Sequence, residues 1–128
     1  MIIILLLIFS VSASLSFVQD SEADPYDVAL KKAIELDKDG FYEESIGYWK
    51  KSLKDSPANI RLYSSLKISR TYTRLGNLIR AEEISQALKE SHPNYYESWF
   101  NYANTAGALK KYSQAISAFK KSIAIKPK

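Results

Sequence analysis

The sequence predicts an all-α fold, a stack of three helical hairpins. Three observations carry that reading. Pro57, Pro93 and Pro127 close three stretches of chain at intervals of 36 and 34 residues, and a period in the mid-thirties belongs to helical repeat architectures. Within each stretch small or apolar residues recur three and four apart, the spacing of one face of an α-helix. Gly40 and Gly76 fall in phase between the two halves of the first two stretches, where a helix end is best served by a residue that accepts positive φ. Stacks of this kind present extended surfaces that hold other molecules.

The hairpins are expected at residues 26–59, 60–95 and 96–128, after a hydrophobic segment (1–18) and an acidic linker (19–25). The first helix, 26–38, follows Asp24-Pro25, a capping residue and a proline whose missing N–H costs nothing in a first turn. Ala29, Ala33 and Leu36 share its inner face. The second, 42–55, carries Tyr42, Ser45, Trp49 and Ser52, and Glu43-Glu44 lie at its positive end. The third, 60–75, presents Ser65, Ile68, Ser69 and Tyr72; Ile60 and Arg61 account for the longer interval. The fourth, 78–91, holds Ala81, Ser85 and Leu88, with Glu82-Glu83 assigned to its start. The fifth, 95–109, takes Asn94 as its cap and Trp99, Tyr102, Ala103 and Ala106 as its face. The sixth, 113–125, contributes Ala115 and Phe119, and Lys110 holds the turn position of Gly40 and Gly76. Small facing residues (Ala33 with Ser45, Ala103 with Ala115) let paired helices approach closely, while Trp49, Trp99 and Phe119 fill the space between pairs.

From Tyr96 to Lys128 the order Trp99, Tyr102, Ala103, Ala106, then Ala115 and Phe119, then Pro127 resembles the tetratricopeptide repeat. Tyr26–Asn59 and Leu62–Tyr95 keep the pattern with departures: Lys32 replaces a core leucine, and Ser65 and Ser85 stand at two aromatic positions. Pentatricopeptide repeats share the period and a basic bias, but the small eighth residue (Ala33, Ser69, Ala103) fits the tetratricopeptide pattern better. The resemblance implies a right-handed α-solenoid and a non-enzymatic protein–protein interaction scaffold, with a peptide or partner segment in a concave groove lined by the first helices. Carried over by position, the groove face is Asp27, Leu30, Lys31, Ile34 and Lys38 in the first unit. The second unit offers Tyr63, Leu66, Lys67, Arg70 and Arg74, the third Glu97, Phe100, Asn101 and Asn104. Arg70 and Arg74 are placed to hold a carboxylate in paired hydrogen bonds and Asn101 or Asn104 to bond a peptide backbone, with Leu30, Ile34, Leu66 and Phe100 supplying apolar contact beside them. The family's carboxylate clamp is absent, because Leu30, Ile34, Glu97 and Asn101 occupy its polar and basic positions.

Catalytic chemistry is not expected. The chain has no cysteine and one histidine, His92 in a turn, so neither a zinc site nor a nucleophile–base pair can be assembled in the usual ways. No glycine-rich phosphate loop is present, no cofactor is expected, and Tyr42, Tyr72 and Tyr102 sit at core positions rather than on a nucleic-acid stacking platform. MIIILLLIFSVSASLSFV contains no charged side chain, the size of a signal-peptide core, with cleavage after Ala13 or Ser16; its lack of Lys or Arg leaves an uncleaved anchor of about 17 residues as the alternative. Both place the repeats outside the cytoplasm, periplasmic or secreted in one case and membrane-anchored in the other. The three repeats carry net charges of −1, +3 and +5, which favours an acidic protein or peptide partner. The second reading is a tethered adaptor whose basic C-terminal face binds anionic lipid or polymer. On the last helix Ile116, Ala118, Phe119 and Ile123 are expected to lack cover, so that end should meet another copy, a partner or further repeats.

Overall fold

The computed structural model describes residues 23–127. The hydrophobic segment 1–18, its cleavage sites, the linker as far as residue 22, and Lys128 lie outside the described residues. Six helices make up the fold: α1 (Pro25–Lys38), α2 (Tyr42–Lys51), α3 (Ala58–Arg74), α4 (Leu78–Ser91), α5 (Tyr96–Ala108) and α6 (Tyr112–Ile125). They pair as α1 with α2, α3 with α4 and α5 with α6. Successive pairs pack through α2 on α3 and α4 on α5, and α3 also lies beside α5. No strand occurs among the described residues.

Helix α2 stops at Lys51, short of the expected 55. Its last turn is closed by Ser52, whose buried hydroxyl donates to the Trp49 carbonyl at 2.6 Å and meets the Ser64 hydroxyl at 2.7 Å. Asp55 then turns the chain with φ of 55°. Helix α3 begins at Ala58, two residues before the expected start, so the interval's extra residues became an additional helical turn rather than a loop. The expected side-chain caps do not form. Pro25 opens α1 as predicted, but the Asp24 side chain makes no capping bond, and Tyr95 rather than Asn94 precedes α5. Glu43 and Glu44 occupy the first turn of α2. Glu82 lies beyond the first turn of α4 and instead reaches Lys111 in the third hairpin at 2.7 Å.

The close approaches fall where the small residues predicted them. Ala33, Ser45, Ser69, Ala81 and Ala103 are fully buried, and Ser69 Oγ donates to the Ala81 carbonyl at 3.1 Å across the second hairpin. Trp49 fills the gap between the first two hairpins, packed with Ala33 and Ile68 and flanked by Tyr72 and Ile84. Trp99 and Phe119 are partly buried against Tyr102, Ala103, Ala106 and Ala115. Ala118 belongs to this cluster at 2% exposure, so it is not part of a bare surface, whereas Ile116 and Ile123 are.

Gly40 and Gly76 adopt φ of 84° and 79°, and Lys110 follows them at 62°. A side chain held in the left-handed region costs about 1–2 kcal/mol, part of which glycine returns through greater freedom in the unfolded chain. Lys110→Gly is therefore expected to stabilise the protein by about 0.5–1 kcal/mol, measured as a higher urea midpoint at unchanged slope.

Candidate binding site

The extra turn of α3 and the N-terminal half of α5 enclose a cleft of about 710 Å3. The two helices are tied together near their C-terminal ends, where the Thr73 and Thr105 hydroxyls meet at 3.0 Å, and the cleft opens N-terminally from that tie. Leu62, Tyr63 and Leu66 form its α3 wall and Tyr95 and Phe100 its α5 wall. Its volume lies within the range of preformed ligand sites, roughly 300–1,000 Å3. The Arg61 guanidinium donates to the Ser56 carbonyl and anchors the start of α3 that makes the cleft deep.

Its two cations stand on the α3 wall, and Glu97 is the one carboxylate of the lining. Lys67 and Arg70 line the α3 wall, and among the described residues neither joins an ion pair. Burial pushes the Lys67 ammonium below the ordinary lysine range, and Arg70 adds to that depression more than the distant Asp37 relieves it. The Lys67 amine lies 5.4 Å from the centre of the Tyr63 ring, a compensation available without an anion. Asn101 is 8% exposed and lines the cleft, yet its Nδ2 has no hydrogen-bond partner. A buried amide left so costs about 1–3 kcal/mol, and this nitrogen is closed to solvent behind the cleft wall. Such a surface suits an anion joined to an apolar group.

Of the residues singled out from sequence, Tyr63, Leu66, Lys67, Arg70, Phe100, Asn101 and Asn104 all line the cleft, as does Glu97. Arg74 does not. It sits at the C-terminus of α3, where positive charge is favourable, with its guanidinium 5.0 Å from the Tyr42 ring centre. The structure sets Lys67 and Arg70 on the cleft wall and leaves Arg74 outside it. The α1 residues also stand apart: Asp27 and Lys31 pair at 2.8 Å, Leu30 packs on the Trp49 cluster, and neither Ile34 nor Lys38 reaches the cleft. Asn59, Leu62 and Tyr95 line the cleft without having been singled out. The only signal for them was the two-residue excess between Pro57 and Pro93.

A family model described as "Tetratricopeptide repeat" matches residues 96–128. Among solved structures, the chain is similar to the P58(IPK) TPR domain, with a TM-score of 0.70 and 16% identity, covering 80% of this chain and 29% of that one. It is also similar to MamA (AMB-1), with a TM-score of 0.65 and 25% identity, covering 88% of this chain and 66% of that one. The chain thus spans less than two thirds of either. No curated protein sequence matches it. Residues 96–128 match the tetratricopeptide repeat, and the described residues as a whole share the fold of tetratricopeptide-repeat domains. Repeats of this family generally mediate protein–protein interaction. The interface between second and third hairpins departs from that between first and second. The Ser52–Ser64 hydrogen bond has no counterpart, because Leu88 stands at the Ser52 position and leaves the buried Ser98 hydroxyl unpaired. Across the same interface Lys89 lays its amine 3.9 Å from the centre of the Tyr102 ring.

Proposed function

We propose that this protein is a non-enzymatic interaction scaffold that holds an acidic segment of a partner protein in the α3–α5 cleft. The observation that carries the reading is the juxtaposition, on one apolar concavity, of two cations that join no ion pair among the described residues. Lys67 and Arg70 take a carboxylate, Leu66 and Phe100 take a bulky apolar side chain, and the exposed Asn104 amide bonds the main chain. The location that goes with this reading is outside the cytoplasm, supported by the uncharged hydrophobic run at residues 1–18. The basic C-terminal face is a weaker candidate surface, since Lys111 is held by Glu82 and Lys121 leans over Trp99.

The probe is an N-acetylated, fluorescently labelled peptide with one phenylalanine between two aspartates. It is expected to bind with a dissociation constant of order micromolar. Phe100→Ala should weaken binding by about thirtyfold, the effect of losing a central anchor worth about 2 kcal/mol. Ile79→Ala, on an exposed part of α4 remote from the cleft, should leave it unchanged. Binding that ignores Phe100→Ala would remove the cleft from the reading.

A further inference from the structure

Helix α6 carries, on a surface separate from the cleft, the same face with which α2 seats its neighbouring hairpin. In the first hairpin that face is Tyr42, Ile46, Trp49 and Leu53. Ile46 and Trp49 are buried, Leu53 packs on the Trp49 cluster, and Tyr42 lies under Arg74. In the second hairpin the same register holds Leu78, Glu82, Ser85 and Lys89, and it too is occupied: Glu82 grips Lys111 and Lys89 covers Tyr102. In the third it holds Tyr112, Ile116, Phe119 and Ile123. Tyr112, Ile116 and Ile123 are 63%, 55% and 74% exposed, and Phe119 meets only a ring of its own hairpin, Phe100, at 5.6 Å among the aromatic pairs of the described residues. A seat made of the apolar residues that bury against a following hairpin is therefore left uncovered by the described residues.

We propose that its occupant is the first hairpin of a second copy of this chain, stacked head to tail. The residues of α3 that settle on α2 include Ser64, Ile68 and Tyr72. Thirty-six residues earlier the register gives Val28, Lys32 and Leu36 on α1, and Val28 is 56% exposed. Lys32 is the one misfit. It reaches Glu35 at 3.4 Å on the surface, and its aliphatic stem can lie along Ile116 while the amine stays at the rim. Charge selects this arrangement over a two-fold one. The third repeat carries +5 and the first −1, so head-to-tail stacking brings Lys120 and Lys121 towards the acids of α1, Asp27 and Glu35 among them. An α6-on-α6 contact would set the same lysines against each other. The head-to-tail operator does not close on itself, so the product is an open series rather than a dimer.

The test is sedimentation velocity of the full chain in a non-ionic detergent, from about 10 µM to about 1 mM, the range in which a weak contact populates. Wild type is expected to form species larger than dimers as concentration rises, and to lose them at high salt. A tail-blocked variant (Ile116→Asp with Ile123→Asp) and a head-blocked variant (Val28→Asp) are each expected to remain monomeric. An equimolar mixture of the two should give a one-to-one dimer and nothing larger. Lys32→Leu should tighten association by about tenfold. All four positions are at least partly exposed, and unchanged helical circular dichroism and melting verify that each variant folds. Three results would each overturn the proposal: a monomeric wild type throughout, a head-blocked variant that associates as wild type does, or association that survives every variant.

Discussion

Trp49→Ala is expected to remove about 3–5 kcal/mol, the range for emptying a buried tryptophan site. Trp49 has no exposure, and it stands where Ala33 of α1, Ile68 of α3 and Ile84 of α4 converge. A repeat domain of this size has a total stability of roughly 5–15 kcal/mol, and in a stacked array that stability is a sum of repeat and interface contributions. The loss therefore falls on one seam, between the first hairpin and the second. The expected signature is a broadened or two-step melt by differential scanning calorimetry, with the first hairpin unfolding ahead of the other two. The indole nitrogen of Trp49 has no hydrogen-bond partner, so Trp49→Phe forfeits packing alone and should cost only about 1 kcal/mol. Tyr63 meets the Trp49 ring edge to face at 5.7 Å and also lines the cleft, so the alanine variant should lose peptide binding as well. A single sharp melt near the wild-type temperature would contradict the placement of this residue.

The features legible in the sequence are those with a strong periodic signal. Ala33, Ser69 and Ala103 recur at one register, and only a small side chain fits where two helices cross closely, so the pattern reported the packing directly. Lys110 was assigned to the turn because the same register twice held glycine, and it adopts φ of 62° there. Helix ends were harder. Serines inside helices have more than one use: Ser52 was read as a mid-helix residue, but its hydroxyl bonds the Trp49 carbonyl and Ser64 and ends α2 early. Asp24 and Asn94 match capping residues by type, yet backbone bonds such as that from the Asp27 N–H to the Asp24 carbonyl at 2.9 Å serve those ends.

The site was partly legible for a related reason. Register places a residue on a helix face, so Lys67, Arg70, Phe100 and Asn101 were found together. Register does not say where a long side chain ends, and Arg74 turned instead to Tyr42, a ring belonging to the preceding hairpin. Nor does it say how deep a groove becomes. The depth here comes from one added helical turn in α3, for which the sequence offered two surplus residues but no indication that they would be helical.

Lys67→Met is expected to raise stability while weakening binding, and the opposed signs identify a residue held for function. The folded-state pKa of Lys67 lies below its unfolded value, chiefly through burial and then through Arg70. In the window between those two values the unfolded chain binds more protons, so the wild-type protein gains stability as pH rises through it. At neutral pH both states are fully protonated and the penalty is at its full size. Methionine removes it there, so the variant should melt at a higher temperature at pH 7 and lose that advantage in the alkaline window. A carboxylate ligand reverses the balance, since it supplies the ion partner that Lys67 lacks among the described residues. Losing one charge-assisted hydrogen bond, worth about 1.5–3 kcal/mol, weakens the aspartate-flanked phenylalanine peptide by about 10–100-fold. Lys67→Glu combined with Arg70→Glu also adds repulsion and should weaken it by about 100–1,000-fold, measured by fluorescence anisotropy at fixed ionic strength. If Lys67→Met instead lowered the melting temperature at pH 7, the ammonium would be serving the fold, and the assignment of this wall to an acidic partner would fail.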